Sequence, residues 1–235
     1  MSAVYRQLSQ HLSDDQAVFG ARSSVPTSIG SAVTSIEAAA ASCVQAIRAH
    51  QPEGPCALCG YSAFGLIAFE AAWQLRAAGR AVALLALVDC QCPGVPEPLR
   101  DRIRRTVSRF IDGDARLRSA LLARLLRLAL RWAMWKIGKP GIGTAVTPTT
   151  APEGAFWLAR RSYVPRPYAG PIAVFSATDR PRHTKRYDVR PWRQFAAGEF
   201  EAHGVGGSHA TIMAEPDVVG LATRLDRCLQ DTRKP

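Results

Sequence analysis

An unbroken apolar run from Ala81 to Val88 constrains the fold of this chain more than any other feature. Such a run is typical of an interior strand in a parallel sheet, because a strand of this kind is covered on both faces and has no side that faces water. The run ends at Asp89, a charged residue. The sequence therefore predicts a buried parallel strand with a carboxylate at its carboxyl end.

Short apolar runs and helical stretches alternate along the chain. We expect strands at residues 17–20, 56–60, 81–88, 172–175 and 200–203. We expect helices over residues 4–12, 36–50, 63–78 and 218–229. This alternation predicts an α/β fold with a mainly parallel sheet, in which ligands collect at the carboxyl ends of the strands. The candidate site residues that follow expected strands are Ser62, Asp89, Asp179 and His209.

The segment 93–155 interrupts this alternation and predicts a helical lid inserted into one domain that spans residues 1–235. Prolines introduce the segment, apolar residues fall at helical spacing along one side of it, and arginines line another side. Twelve Lys or Arg and three Asp lie between Leu99 and Lys139, so this stretch holds nine of the eleven net positive charges. The candidate binding residues of this basic lid are Arg124, Arg127, Arg131 and Trp132.

Length and composition bound the class of protein. A chain of 235 residues that is 47% hydrophobic can bury one substantial core. Its first residues lack the basic region and long apolar block of an export signal, and no stretch is long and uncharged enough for a membrane span. We therefore expect a cytoplasmic protein with no integral membrane association. The basic stripe has no interleaved stacking aromatics, so we expect no nucleic-acid binding, whereas Trp132 and Trp135 leave contact with an anionic bilayer surface open.

Six cysteines raise the question of a metal site. Cys56 and Cys59 lie three apart on an expected strand, where their side chains point to opposite faces. Cys90 and Cys92 are spaced too closely for a zinc knuckle. We therefore expect no metal, and mostly buried, reduced thiols.

The stretch Gly60-Tyr61-Ser62-Ala63-Phe64-Gly65 lies between an expected strand and an expected helix. A serine at such a turn has its hydroxyl lifted clear of the sheet, above a helix amino terminus that favours developing negative charge. This geometry is that of a nucleophile. Phe64 stands where the G-x-S-x-G pattern has its last glycine, and an ordinary helix N-cap is the alternative interpretation of Ser62.

A serine nucleophile needs a base, and the base needs an acid to orient it. His209 is the candidate base, because it follows the last expected strand in a glycine-rich loop, as the order serine, acid, histidine of the α/β-hydrolases requires. The other histidines lie on helices, in a basic turn or within a strand. Two carboxylates compete for the role of acid. Asp89 is favoured because it ends the most apolar strand, and Asp179 is the alternative.

The chain resembles the thioesterase domains that release products from nonribosomal peptide and polyketide synthases. The stretches that carry this resemblance are residues 5–8, 15–20, 51–63, 66–72, 84–89, 163–170 and 206–209, with Glu215-Pro216. They cover most of the chain and are weakest in the insertion. The resemblance implies an α/β-hydrolase-like fold and supports Ser62, Asp89 and His209 as the catalytic triad.

By resemblance, the serine takes an acyl or peptidyl chain from a phosphopantetheine thioester, and water or an internal nucleophile then releases the chain. The phosphopantetheine belongs to a carrier protein, so we expect no cofactor on this chain and an acyl or peptidyl carrier protein as its partner. Carrier domains of this kind are usually acidic, so the basic lid would supply complementary charge. The alternative interpretation is a lid whose arginines are merely solvated.

Two features depart from the family pattern. Phe64 must find space in the pocket or distort the turn. The family places a strand and a glycine-rich oxyanion loop before its first Tyr-Arg-x-Leu helix, and this sequence begins inside that helix, which leaves the N–H of Ala63 as the assignable oxyanion donor. We expect either an upstream start or a shortened, catalytically impaired module that acts in carrier-protein binding.

Overall fold

The computed structural model describes residues 3–21, 35–94, 152–179 and 189–233. Across these ranges the chain forms a four-stranded sheet in which every neighbouring pair is parallel. The strands, adjacent in this order, are β1 (Cys56–Tyr61), β2 (Val82–Val88), β3 (Ile172–Ala177) and β4 (Phe200–Val205). The expected strands at 56–60, 81–88, 172–175 and 200–203 are confirmed, with small differences at their ends.

Helices cover both faces of the sheet. The described helices are α1 (Ala3–His11), α2 (Ile36–His50), α3 (Gly65–Ala77), α4 (Pro152–Ser162) and α5 (Asp217–Asp231). The apolar sides of α2 and α3 pack on one face, and those of α1 and α5 pack on the other. Strands alternating with helices thus give the expected parallel α/β architecture.

The position of β2 between two apolar cores explains why the run 81–88 has no polar residue. Leu85 and Leu87 pack into the core on the side of α2 and α3, whereas Leu84, Ala86 and Val88 pack into the core on the side of α1 and α5. All five side chains are buried. Because consecutive side chains of a strand point to opposite faces, a strand that lies between two cores must be apolar at every position.

A buried carboxylate ties α3 to the segment after α4. Glu70 Oε2 accepts a hydrogen bond of 3.0 Å from the hydroxyl of Tyr163, and Glu70 Oε1 accepts one of 2.7 Å from the Arg166 guanidinium. Gln74, one turn along α3, donates to the same oxygen at 2.9 Å. Burial, and then the Glu70 carboxylate, raise the pKa of Tyr163, so its hydroxyl stays a donor.

One expected strand is absent, and two elements were not expected. Residues 17–20 do not pair with the sheet, and the prediction of a strand there is wrong. The ring centroid of Phe19 instead lies 3.9 Å from that of His50, so this largely exposed side chain contacts helix α2. Helix α4 begins at Pro152, near the end of the segment expected as the lid, and residues Arg190–Phe195 form a 3-10 helix that places Trp192 in the core.

The chain divides into two units, residues 1–95 with 151–235, and residues 96–150. The second unit lies outside the described residues. The predicted lid, with Arg124, Arg127, Arg131 and Trp132, therefore stays a prediction. Of the helices in the described ranges, none has the length and apolar content that a bilayer crossing requires.

Candidate active site

Ser62 stands on a sharp turn between β1 and α3. Its backbone φ is 56°, in the left-handed region that residues with a side chain rarely adopt. Residues Ser62–Phe64 form one 3-10 turn, and α3 begins at Gly65. A strained strand-to-helix turn of this kind lifts the serine hydroxyl off the sheet at the amino end of a helix.

Two glycines allow close packing at this turn, one between β1 and α3 and the other between α3 and the segment after β2. A Cβ on Gly60 would lie 2.6 Å from the Cα of Gly65, and a Cβ on Gly65 would lie 2.4 Å from the Sγ of Cys90. Phe64 points outward, with 59% of its surface exposed, and its ring centroid lies 5.9 Å from that of Phe156 on α4. Phe64 therefore has space. Gly65, one residue later, allows the close approach that the last glycine of the G-x-S-x-G pattern would allow.

The structure brings together the hydroxyl of Ser62, the imidazole of His209 and the carboxylate of Asp89. Ser62 Oγ lies 3.1 Å from His209 Nε2. His209 Nδ1 lies 2.6 Å from Asp89 Oδ2. Each residue follows a different strand, and the parallel arrangement places the three strand ends at one edge of the sheet. With a proton on Nδ1, the imidazole has its Nε2 lone pair directed at the serine hydroxyl.

The backbone of the sheet fixes the carboxylate of Asp89. Its Oδ1 accepts a hydrogen bond of 2.9 Å from the amide of Ala177 at the end of β3, and its own amide donates to the carbonyl of Phe175 at 2.7 Å. Asp89 has a φ of 45° and is buried. Because one oxygen bonds the Ala177 amide and the other faces His209, the carboxylate cannot rotate away without losing a bond.

Asp179, the alternative acid, has other partners. Its amide donates to the carbonyl of Gly207 at 2.9 Å, and its carboxylate accepts a hydrogen bond of 3.3 Å from the hydroxyl of Thr178. The Asp179 side chain is exposed. One ring nitrogen of His209 faces Ser62 and the other faces Asp89. The geometry therefore places Asp89, rather than Asp179, beside the imidazole.

Two tyrosines that the sequence analysis did not single out support this arrangement. The hydroxyl of Tyr61 donates to the backbone carbonyl of His209, and the two rings stack with centroids 5.1 Å apart. The amide of Tyr61 donates to the hydroxyl of Tyr5 on α1 at 2.9 Å. Burial raises the pKa of Tyr5, which keeps this hydroxyl neutral. The position of Tyr61, directly before the serine, was the signal available in the sequence.

The expected oxyanion donor and a groove lie beside this cluster. Ala63 is in the first turn that follows the serine, where backbone N–H groups have no partner within the helix. A groove next to His209 has a mostly apolar lining. Its lining residues are Val4, Arg6, Gln7, Tyr61, Ala210, Met213 and Ala214.

A comparison with protein-family models decides the family. The model described as the thioesterase domain matches residues 1–119, which is more than half of the chain. The chain belongs to the thioesterase domain family. The matched range of this thioesterase domain includes Ser62 and Asp89 and ends before His209.

Individual relatives agree with this membership. The thioesterase domain is 27% identical to the chondramide synthase cmdD of Chondromyces crocatus, over 97% of this chain and 6% of the synthase. It is 30% identical to the non-reducing polyketide synthase terA of Aspergillus terreus, over 83% of this chain and 10% of that synthase. The chain thus spans about a tenth or less of these two relatives.

Solved structures agree on the fold. The thioesterase domain of NocB, in covalent complex with a fluorophosphonate nocardicin G analogue, superposes with a TM-score of 0.55 at 23% identity. The match covers 85% of this chain and 77% of NocB. The fold expectation is confirmed: this thioesterase domain has an α/β-hydrolase-like fold built on a parallel sheet.

Proposed function

We propose that this thioesterase domain releases an acyl or peptidyl chain from the phosphopantetheine thioester of a carrier protein, in natural-product biosynthesis. The observation that carries the proposal is the hydrogen-bonded series from Ser62 through His209 to Asp89. The similarity to the chondramide synthase cmdD and the polyketide synthase terA supports the choice of a carrier-bound substrate.

In the first half of the proposed reaction, Ser62 Oγ attacks the thioester carbonyl while His209 Nε2 takes the hydroxyl proton. The carbonyl oxygen becomes an oxyanion, and the N–H of Ala63 donates to it. The C–S bond then breaks, and the imidazolium gives its proton to the departing phosphopantetheine thiolate. An ester between the chain and Ser62 remains, and Asp89 stabilises the imidazolium throughout.

In the second half, water or a nucleophile within the bound chain attacks the ester. His209 takes a proton from that nucleophile and returns it to Ser62 Oγ as the ester bond breaks. Water gives a free acid, and an internal nucleophile gives a ring. The domain needs no cofactor of its own, because the phosphopantetheine arrives on its partner. The apolar groove beside His209 and the exposed ring of Phe64 would contact an apolar chain.

Labelling with a fluorophosphonate probe tests the serine mechanism. The probe should label the wild-type domain and a Ser208→Ala control, and should fail to label Ser62→Ala, since only a serine activated by a base reacts. Intact mass and peptide mapping would identify the modified residue. A wild-type domain that stays unlabelled, with an unchanged melting temperature, would overturn the catalytic proposal and favour a module that binds carriers without turnover.

Docking of the carrier protein is a separate part of the proposal. The predicted basic lid, with Arg124, Arg127, Arg131 and Trp132, would attract an acidic carrier, so affinity should fall as salt concentration rises. The triple variant R124E/R127E/R131E should weaken binding and flatten the salt dependence, whereas probe labelling of Ser62 should persist. Unchanged carrier affinity in this variant would remove the lid from the docking surface.

A further inference from the structure

A second cluster of reactive side chains lies away from the proposed triad. Glu201 and His203 are on β4, and Cys228 is on α5. Glu201 Oε2 lies 2.9 Å from His203 Nε2. Cys228 Sγ lies 3.5 Å from the same nitrogen and 3.7 Å from the same oxygen. A carboxylate, an imidazole and a thiol thus direct one ligating atom each toward a common point.

The fold brings these three groups together through two regular elements. Glu201 and His203 are two apart on a strand, so their side chains share the face that α5 covers. On α5, Cys228 follows Leu225 and Leu221 at helical spacing on the buried side of the helix. The ring of His203 also stacks on that of Phe175 on β3, with centroids 5.0 Å apart, and this contact restricts its orientation.

The distances fit a tetrahedral zinc ion. With a Zn–S bond of about 2.3 Å and Zn–N and Zn–O bonds of about 2.0–2.1 Å, tetrahedral angles place the ligand atoms about 3.3–3.6 Å apart. The observed separations of 2.9, 3.5 and 3.7 Å differ from these values by a few tenths of an ångström. Small side-chain rotations are enough to complete the coordination.

Access and surrounding charge also suit a cation. The Glu201 side chain is 58% exposed and that of His203 is 22% exposed, whereas Cys228 is buried at the base of the cluster. Asp231 lies one turn further along α5 at the same depression in the surface, where it adds negative charge. An ion can therefore enter from solvent on the carboxylate side and meet the thiol last.

We propose that Glu201, His203 and Cys228 form a zinc site that joins β4 to α5. Three protein atoms and one water would complete the tetrahedron. The Zn–S bond forms as the Cys228 thiol loses its proton to solvent, and His203 offers the lone pair of Nε2 as neutral imidazole. Since the ligands lie within β4 and α5 rather than at the strand ends, the ion acts by cross-linking two elements of the fold. This site does not depend on the proposed catalytic function, and it departs from the sequence-based expectation of no metal.

Titration with Co²⁺ tests the proposal. Co²⁺ adopts the same tetrahedral geometry and shows a charge-transfer absorption band when a thiolate binds it. The intact protein should bind one equivalent with a thiolate-to-cobalt band, and Zn²⁺ should displace it. Cys228→Ser should lose the band, and His203→Gln or Glu201→Gln should bind at least tenfold more weakly. Zn²⁺ should also raise the melting temperature of the wild type in proportion to the logarithm of its concentration.

Matched controls come from two places elsewhere on the chain. His11 and Glu215 form a histidine–carboxylate pair of 2.8 Å, beside which the described part of the chain places no cysteine, and Cys59 is an exposed thiol. His11→Gln and Cys59→Ser should leave the cobalt band unchanged. A wild type without a thiolate band, or a band that survives in Cys228→Ser, would overturn the proposal. If Cys228→Ser does not fold, Glu201→Gln decides, because that side chain is mostly exposed and its replacement leaves the core intact.

Discussion

The two clusters of this thioesterase domain are built in opposite ways. Ser62, Asp89 and His209 stand in the turns that follow three strands, and two of them have a strained backbone with φ of 56° and 45°. Glu201, His203 and Cys228 stand inside a regular strand and a regular helix. Strand-end turns can hold reactive groups in conformations that a strand or helix forbids, at the cost of backbone strain. Inside a strand or a helix, the register of the element fixes where a side chain lies. We expect reactive groups in such positions to contribute to stability more than to catalysis.

Replacement of the acid gives the largest expected effect and tests the strand-end half of this contrast. Asp89→Asn should lower kcat by about 10⁴-fold, because an amide favours the wrong tautomer of His209. The matched variant Asp179→Asn should stay within about threefold of wild type, since Asp179 does not contact the imidazole. Steady-state kinetics on a thioester substrate would measure both. Equal losses in the two variants would contradict the assignment of Asp89.

Replacement of Glu70, a buried group inside α3, should affect stability instead. Glu70→Ala leaves the buried hydroxyl of Tyr163 without its acceptor and removes the partner of Arg166, which is half exposed. We expect the free energy of unfolding to fall by about 2–4 kcal/mol, as measured by urea denaturation. The exposed Glu53→Ala should unfold like the wild type. A variant with wild-type stability but lower activity would break the contrast between turns and element interiors.

One glycine at the turn and one inside a helix allow the contrast to be tested. Gly60→Ala forces a Cβ to within 2.6 Å of the backbone of Gly65, so we expect a loss of about 1–3 kcal/mol in stability and weaker probe labelling of Ser62. Gly220→Ala on α5 meets nothing within 4 Å and should stabilise the domain by about 0.5–1 kcal/mol. Thermal unfolding of the two variants gives the comparison. Similar shifts of the melting temperature in both variants would show that the close approach at the turn is unimportant.

The smallest effect is expected from Tyr61→Phe. This variant keeps the ring that stacks on His209 and removes the hydrogen bond to the His209 carbonyl. A net loss of about 0.5–1.5 kcal/mol corresponds to roughly 2- to 13-fold in kcat. Single-turnover acylation rates would detect it, and KM should be unchanged because the bond holds the base rather than the substrate. A change in KM alone would assign Tyr61 to substrate binding.

The strand-end cluster was accessible from the sequence because each member follows an expected strand. The run 81–88 located Asp89, and the glycine-flanked turn located Ser62, since both signals are local. Only the position of Tyr61 beside Ser62 was visible in the sequence, because the contacts of Tyr5 and Tyr61 depend on how α1 packs against the end of β1. The strand expected at 17–20 was wrong for a similar reason, since a strand exists only where a neighbour pairs with it.

The cluster of Glu201, His203 and Cys228 shows the limit of spacing rules. His203 and Cys228 are 25 residues apart, so no short motif joins them. Their meeting depends on which side of α5 faces β4, which is a property of the packed core. Spacing rules apply to the four cysteines that lie close together in sequence, whereas the structure places a different one, Cys228, beside a histidine and a carboxylate.

The support of Asp89 by main-chain groups has a consequence for divergence within the family. Amide and carbonyl groups of β3 are present whatever side chains that strand carries. Drift in the surrounding apolar residues can therefore reshape the interior and leave the acid where it is. Under the proposed function, such a scaffold can accept new substrates through changes in its apolar lining, while the three proposed catalytic side chains keep their positions.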